Sequence, residues 1–175
     1  LGLLARQVTL ASQIALAPNL WNEHIAPIIL RAMADVYINF AWLTADTKER
    51  CLKFIRYGLG QQKLELEHRR SVCDDPETAA RLGVFERWIE SQRTTYLLDV
   101  DLGSWSGISV REMAKEADCL DFYNFVYAPF SACSHSMWPH IARFNLKRCV
   151  NPLHKFHLEP CILDLGISTQ YLYLA

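Results

Sequence analysis

The sequence has almost no excess of charge of either sign. Its 18 lysine and arginine residues stand against 19 aspartate and glutamate residues, so the formal net charge is −1 at pH 7. A chain with this balance has no overall attraction for phosphate, and non-specific nucleic-acid binding would need a local basic patch. The short candidates are Arg69 with Arg70 and Lys147 with Arg148, and pairs of this kind are more often solvated helix ends.

Paired cysteine motifs are missing as well. None of the six cysteines forms a Cys-x-x-Cys pair, and none is set with histidine at zinc-finger spacing. We therefore expect no structural zinc, no other metal and no cofactor. A chain of this size and apolar content needs no disulfide staples, and no signal peptide is recognisable, so we expect reduced thiols and a cytoplasmic location. The start at Leu1 rather than Met is compatible with a fragment of a longer chain.

Long hydrophobic runs and internal repeats are also absent. No uninterrupted apolar segment approaches the roughly 20 residues of a membrane-spanning helix, so we expect no membrane association. A chain of 175 residues, 51% of them hydrophobic, supports one core rather than two. We predict a single domain over residues 1–175.

Helical periodicity with capped starts is the dominant pattern. Apolar residues recur at helical spacing in the first 17 positions, and a second helix is predicted from Ala26 and Pro27 to about Thr44. Helix starts are further predicted at three capping signals, Asp46 to Glu49, Asp75 with Pro76, and Ser109 to Glu112. Long helices with short capped connections predict an all-α antiparallel bundle of about five to seven helices.

Two prolines leave more than one possible arrangement of the later helices. Pro129 follows an aromatic helical segment that begins near Leu120. Because proline lacks a backbone donor and collides with the preceding turn, residues 130–144 are either the kinked second half of that helix or a separate one. Pro139 raises the same question, and the alternation in the tail is too short to assign.

A charged pair, Arg31 and Asp35, lies four residues apart within an otherwise apolar helix. Burial of two charges costs several kcal/mol per ion before pairing, so further polar groups are expected to complete their hydrogen bonds. Ser131 and His135 are also four apart and could meet the pair across the bundle interior. We predict that these four residues form a shared polar centre, which is either a structural network or a functional site.

The sequence lacks the features that would indicate a hydrolytic triad at this centre. Ser131 and His135 have no evident orienting acid and no oxyanion-hole loop. The sequence contains neither Gly-x-Ser-x-Gly nor a phosphate-binding loop that ends in Lys-Ser or Lys-Thr.

A weaker alternative uses Arg148 and His154. Helical ribonucleases of the HEPN class, found in toxins and phage defence, use an arginine followed by a histidine after four to six residues, and this pair has that form. The histidine could act as general base and the arginine could stabilise a phosphorane-like charge. Pro152, however, would break the helix that normally presents both groups.

Several of these segments together resemble bacterial domain-of-unknown-function family 5677. The resemblance rests on Leu30 to Asp35, on Tyr127-x-x-x-Ser131-x-x-x-His135 and on Asn151 to His154, over about Pro27 to His157. It implies an all-α domain in which an arginine is followed four residues on by an acid, usually Glu, with the serine and histidine on a later helix. It implies no established reaction.

Two hypotheses follow, and the sequence leaves open whether the protein is an enzyme. In the first, Arg31, Asp35, Ser131 and His135 form a ligand or catalytic centre with ribonuclease-like or nucleotide-handling activity in a defence or toxin context. In the second, they only fix the packing, and exposed aromatics such as Trp21, Trp105 or Trp138 meet a protein partner. The expected partner is accordingly RNA or a protein, and homo-oligomer formation stays open.

Overall fold

The structure is a computed structural model, and it describes residues 1–96, 105–162 and 165–175. These residues contain eight helices and one two-stranded sheet. The helices are α1 (Gly2–Ala15), α2 (Ala26–Ala45), α3 (Thr47–Ser71), α4 (Pro76–Tyr96), α5 (Val110–Glu116), α6 (residues 120–134), α7 (Trp138–Phe144) and α8 (Gln170–Leu174). A 3₁₀ turn at Pro18–Leu20 follows α1. The strands β1 (Leu146–Arg148) and β2 (Leu158–Pro160) pair antiparallel, with Lys147 opposite Glu159. The predicted all-α fold is confirmed, and the small sheet is an addition to it.

The chain forms two compact units. The first consists of residues 1–41 and 114–175, and the second of residues 42–113. A single domain over residues 1–175 stays a prediction.

The second unit contains the helical hairpin of α3 and α4. Leu59 and Leu66 on α3, and Leu82 and Ile89 on α4, are buried in one cluster. A separation of seven residues is close to two helical turns, so each pair lies on one face of its helix. Near the connection, a bidentate pair between Arg70 on α3 and Glu86 on α4, at 3.1 and 2.6 Å, closes the hairpin.

Helix α2 supplies much of the core of the first unit. Its buried side chains there are Ala26, Leu30, Met33, Ala34, Val36 and Ile38. By length and composition α2 is also apolar enough to cross a membrane. Arg31 and Asp35 interrupt its apolar sequence, so α2 contains no uninterrupted apolar run of that length. A buried core helix has the same composition, so the absence of membrane association stays a prediction.

All three predicted helix starts are followed by a helix, and two of them have the expected capping hydrogen bonds. The Asp75 carboxylate accepts the Thr78 N–H at 2.7 Å at the start of α4. Ser109 and Glu112 form the predicted reciprocal box before α5, with N–H to side-chain distances of 2.8 and 3.2 Å.

The capping box predicted at Asp46 is wrong. Asp46 does precede α3, but its side chain makes no capping hydrogen bond there. Glu49, the other half of the expected box, instead pairs with Lys53 one turn later at 2.5 Å.

Helix α6 passes through Pro129 without breaking. It consists of Leu120–Phe122, a π-helical turn at Tyr123–Tyr127, and Ala128–Ser134. In the π turn the Ala128 N–H bonds the Tyr123 carbonyl five residues back. The wider turn accommodates Pro129, whose missing donor and ring would disrupt a regular α turn. Pro139, in contrast, lies in the first turn of the separate helix α7.

Helix α6 ends where Ser136 takes a left-handed backbone conformation, with φ 51°. The Ser136 N–H bonds the Cys133 carbonyl at 3.1 Å, and the Met137 N–H bonds the Ala132 carbonyl at 2.9 Å. These two bonds are those of a Schellman motif, which usually has glycine at the left-handed position. Asp118, with φ 54°, follows α5 in the same conformation.

We expect Ser136→Gly to stabilise the protein by about 0.5–1 kcal/mol, because glycine adopts positive φ without the steric cost that serine meets. Urea unfolding measures the change. Ser134→Gly is the matched control, since this residue has right-handed helical geometry in the last turn of α6 and its replacement should destabilise by about 0.5 kcal/mol. A loss of stability in Ser136→Gly would contradict the assigned helix end.

Candidate functional site

The Arg31 guanidinium joins α2 to α6. Its Nε donates to the Ser131 Oγ at 2.8 Å, its Nη1 pairs with the Asp35 carboxylate, and its Nη2 donates to the Tyr127 hydroxyl. Ser131 in turn donates to the Tyr127 carbonyl one helical turn earlier, at 2.9 Å. Every nitrogen of the guanidinium is therefore engaged. We call Arg31, Asp35, Tyr127 and Ser131 the arginine cluster.

The arginine cluster is largely shielded from water at its centre and open at one edge. The Arg31 side chain is 12% exposed, whereas that of Asp35 is 42% exposed. The Arg31 Cζ also lies 3.3 Å from the centroid of the Tyr127 ring, so the cation stacks on the aromatic face as well. Water reaches the carboxylate but hardly reaches the guanidinium.

Tyr127 stays protonated in this setting. Burial, followed by the negative charge of Asp35, raises the pKa of Tyr127 to about 12, although the charge of Arg31 acts in the opposite direction. The ring also stacks on that of Tyr123, with the centroids 4.8 Å apart. Tyr127 therefore contributes a neutral hydroxyl and a packed ring to the cluster.

The structure brings together three of the four residues predicted for the polar centre, and the fourth lies outside it. Arg31, Asp35 and Ser131 meet as expected, with Tyr127 added to them. His135 is exposed and, within the described chain, has no side-chain hydrogen bond to any of the others. The physical reason is that α6 ends at Ser134 and the chain turns away through Ser136. Whether the four residues catalyse a reaction stays a prediction.

Arg148 and His154, the weaker alternative site, do not lie on a helix in the structure. Arg148 lies in strand β1, and His154 lies in the loop between β1 and β2. The helix that would present both side chains in a HEPN-type site is therefore not formed at these positions. In the described structure no hydrogen bond joins Arg148 to His154.

A pocket of about 360 Å³ in the first unit was not predicted from the sequence. Residues from just before α2 and from α2, α6, α7 and α8 line it, among them Glu23, Cys133, His140, Arg143, Phe144 and Tyr171. We call it the histidine pocket, because His140 on its wall is paired with a second histidine.

His140 and His24 face each other at hydrogen-bond distance. The His24 Nδ1 lies 3.3 Å from the His140 Nε2, and the ring planes are close to perpendicular. Burial, and then the neighbouring His24, lower the pKa of His140 below its ordinary value of 6.5. His140 is therefore mostly neutral at neutral pH and able to accept a proton.

The backbone of His24 is held from two sides. The Asn22 side-chain oxygen accepts the N–H groups of His24 and Ile25 at 3.0 and 3.1 Å. The Cys133 thiol on α6 donates to the His24 carbonyl at 3.2 Å. Because burial raises the pKa of Cys133, the thiol keeps its proton and acts as a donor here rather than as a nucleophile.

The wall of the histidine pocket also carries the polar residues Glu23, Arg143, Gln170 and Tyr171. Arg143 is exposed, stacks at 5.0 Å from the Phe144 ring centroid, and forms no ion pair with any residue that the structure describes. Burial, and then Glu23, raise the pKa of Tyr171, so its hydroxyl stays protonated. An unpaired guanidinium beside a neutral imidazole is suited to an anionic ligand that undergoes proton transfer.

Sequence reasoning missed the histidine pocket because no local pattern marks it. His24 and His140 are 116 positions apart. Neither stands at a spacing typical of catalytic or metal-ligating histidines, and they meet only because the segment before α2 and helix α7 come together in the fold.

The fold, the arginine cluster and the histidine pocket define an all-α protein in which separate helices contribute side chains to shared polar clusters. The chain belongs to the family of unknown function DUF5677, whose family model matches residues 1–149. The matched region contains the arginine cluster and the histidine pair, and it ends before Asn151 to His154, which had also supported the resemblance. No curated protein and no solved structure matches the chain significantly.

We expect Arg31→Met to destabilise the protein by about 2 kcal/mol, because it leaves the polar groups of Asp35, Tyr127 and Ser131 without their common donor. Arg81→Met is the matched control. Arg81 also pairs four residues away, with Glu77 at 2.6 Å, but both side chains are 78% exposed. The control should cost less than about 0.5 kcal/mol. If urea unfolding gave the same loss of unfolding free energy for the two variants, the arginine cluster would not stabilise the contact between α2 and α6.

Proposed function

We propose that this protein cleaves phosphodiester bonds in RNA and that the reaction takes place in the histidine pocket. The observation that carries the proposal is that His140, which shares the pocket wall with the unpaired Arg143, lies 3.3 Å from His24. The proposal keeps the ribonuclease-like activity considered from the sequence and moves it to other residues. A cytoplasmic role in phage defence, or as a toxin, belongs to the same proposal.

His140 is the proposed general base. In its neutral form it takes the proton of the RNA 2′-hydroxyl, and the 2′-oxygen then forms a bond to phosphorus. The bond from phosphorus to the 5′-oxygen breaks, and the leaving oxygen receives a proton from the Tyr171 hydroxyl on the same pocket wall. Transfer of the proton from His140 back to Tyr171 restores the starting state.

Arg143 is the proposed phosphate ligand. A guanidinium can contact two phosphate oxygens at once and stabilise the negative charge that builds up during attack. Since the net charge of the chain is −1, attraction for RNA must come from such a local group rather than from the whole surface.

The arginine cluster has a positioning role in this proposal. It fixes α6 against α2, and the adjacent part of α6 carries Cys133, whose thiol holds the backbone of His24. Pro27, one helical turn before Arg31, also lines the histidine pocket. A loose α6 would therefore displace groups on both sides of the pocket.

A non-enzymatic interaction module is the second candidate, and the exposure of Trp138 favours it. This side chain is 64% exposed at the start of α7. The other two proposed contact aromatics are engaged internally. Trp21 donates to the Ile14 carbonyl at 2.6 Å, and Trp105 packs edge-on against Trp42 and Phe54.

The first test is RNA degradation by the purified chain. We expect His140→Ala to reduce cleavage at least about 100-fold, because the general base is lost. His135→Ala and His154→Ala are matched controls and should keep nearly full activity. Loss of cleavage in His135→Ala alone would indicate that the reaction takes place at the polar centre predicted from the sequence. Loss of cleavage in His154→Ala alone would support the alternative site at Arg148 and His154. No cleavage by the unaltered chain would refute the proposal and favour the interaction module.

The pH dependence provides a second test. Because the pKa of His140 is lowered, its basic form persists below pH 6.5, and the acidic limb of kcat/KM should lie below that value. The positive charge that His24 can carry contributes to the lowering. His24→Gln should therefore move the limb upward, toward pH 6.5. An acidic limb above pH 6.5 in the unaltered chain, or one that His24→Gln leaves in place, would contradict this role of the pair.

A further inference from the structure

One cysteine and two histidines meet in the segment that connects β1 to β2. The Cys149 Sγ lies 3.5 Å from the His154 Nδ1, which lies 3.3 Å from the His157 Nδ1. The three atoms all lie within 4.8 Å of one another. Cys149 carries a free thiol, and the two histidines are exposed.

We propose that Cys149, His154 and His157 bind one zinc ion. Zinc binds sulfur at about 2.3 Å and imidazole nitrogen at about 2.0–2.1 Å, in tetrahedral geometry. A tetrahedron with these bond lengths separates sulfur from nitrogen by about 3.5 Å, and nitrogen from nitrogen by about 3.3 Å. The two contacts of the His154 Nδ1 have these separations. A thiolate with two imidazoles is also a donor set that zinc prefers over the harder magnesium and calcium.

The ring of His154 has polar contacts at both of its nitrogens. The His154 Nδ1 faces both the Cys149 sulfur and the His157 Nδ1, while its Nε2 faces the Asn151 side-chain nitrogen at 3.3 Å. Zinc binding at Nδ1 would therefore place the imidazole proton on Nε2 and turn the Asn151 amide away from it. A cation at the centre interacts with all three donor atoms at once. Metal binding would require the thiol to lose its proton, as it does in thiolate sites generally.

The backbone already holds the three residues in place. The Cys149 N–H bonds the His157 carbonyl at 3.1 Å, and the His157 N–H bonds the His154 carbonyl at 3.2 Å. The Asn151 side chain accepts the Leu153 N–H at 3.0 Å within the same turn. Little of the chain has to be ordered when the ion binds, which favours affinity.

The same segment has no apolar core of its own. Val150, Leu153 and Phe156 are 91%, 85% and 95% exposed. A short segment without buried apolar surface is commonly stabilised by a metal or a disulfide. The ion would hold the two sides of this hairpin together, with water in the fourth coordination position.

The expectation of no metal was based on Cys-x-x-Cys pairs and on zinc-finger spacing. The observed pattern, Cys-x₄-His-x₂-His, belongs to neither. The antiparallel pairing of β1 with β2 is what brings the two ends of this pattern together.

Cobalt titration of the full chain tests the site, because Co²⁺ in a tetrahedral thiolate site absorbs visible and near-ultraviolet light. We expect a sulfur-to-cobalt band at one equivalent of Co²⁺, displaced by one equivalent of Zn²⁺. Cys149→Ser should abolish the band, and His154→Ala or His157→Ala should weaken Co²⁺ binding at least about tenfold.

Cys73→Ser and Cys133→Ser are matched controls and should leave the band unchanged. The second control separates this site from the histidine pocket, where the Cys133 Sγ lies 3.8 Å from the His140 Nε2. Loss of the band in Cys133→Ser but not in Cys149→Ser would overturn the proposal. Absence of a sulfur-to-cobalt band from the folded unaltered chain, with folding checked by circular dichroism, would overturn it as well.

Discussion

The hydrogen bonds of the Arg31 guanidinium are the interaction on which the packing of α2 against α6 in the first unit depends. The guanidinium lies on an apolar helix, cannot give up its charge, and is largely removed from water, so it must be fully hydrogen-bonded. Asp35 satisfies one side from the next turn of α2, while Tyr127 and Ser131 satisfy the rest from a helix about a hundred positions later. The requirement for partners therefore fixes which face of α6 meets α2.

That fixed contact extends to the histidine pocket. Cys133 follows Ser131 by two positions on α6, and its thiol reaches the carbonyl of His24. His24 in turn contacts His140 on α7. Two successive polar contacts, through Cys133 and His24, thus connect the helix of the arginine cluster to the proposed general base. A substitution at Arg31 could alter activity without any contact between Arg31 and the substrate.

The sequence predicted the features that depend on local spacing. The four-residue spacing of Arg31 and Asp35 placed this pair on one helical face, and the cost of buried charge indicated that it would meet the polar side chain of Ser131. His135 has the same spacing but lies beyond the end of α6, because Ser136 adopts positive φ without being glycine. The π turn that accommodates Pro129 also has no local signal. The His24 and His140 pair, and the cluster at Cys149, require tertiary contacts that spacing does not encode.

A double-mutant cycle between Arg31 and Tyr127 tests the central claim most directly. Arg31→Met, Tyr127→Phe and the double variant are compared by urea unfolding, and the coupling energy isolates the contact between guanidinium and hydroxyl. Our account predicts a coupling of about 1–2 kcal/mol, as expected for a charge-assisted hydrogen bond that is shielded from water. A coupling close to zero, with both single variants folded, would contradict the claim that Arg31 ties α2 to α6.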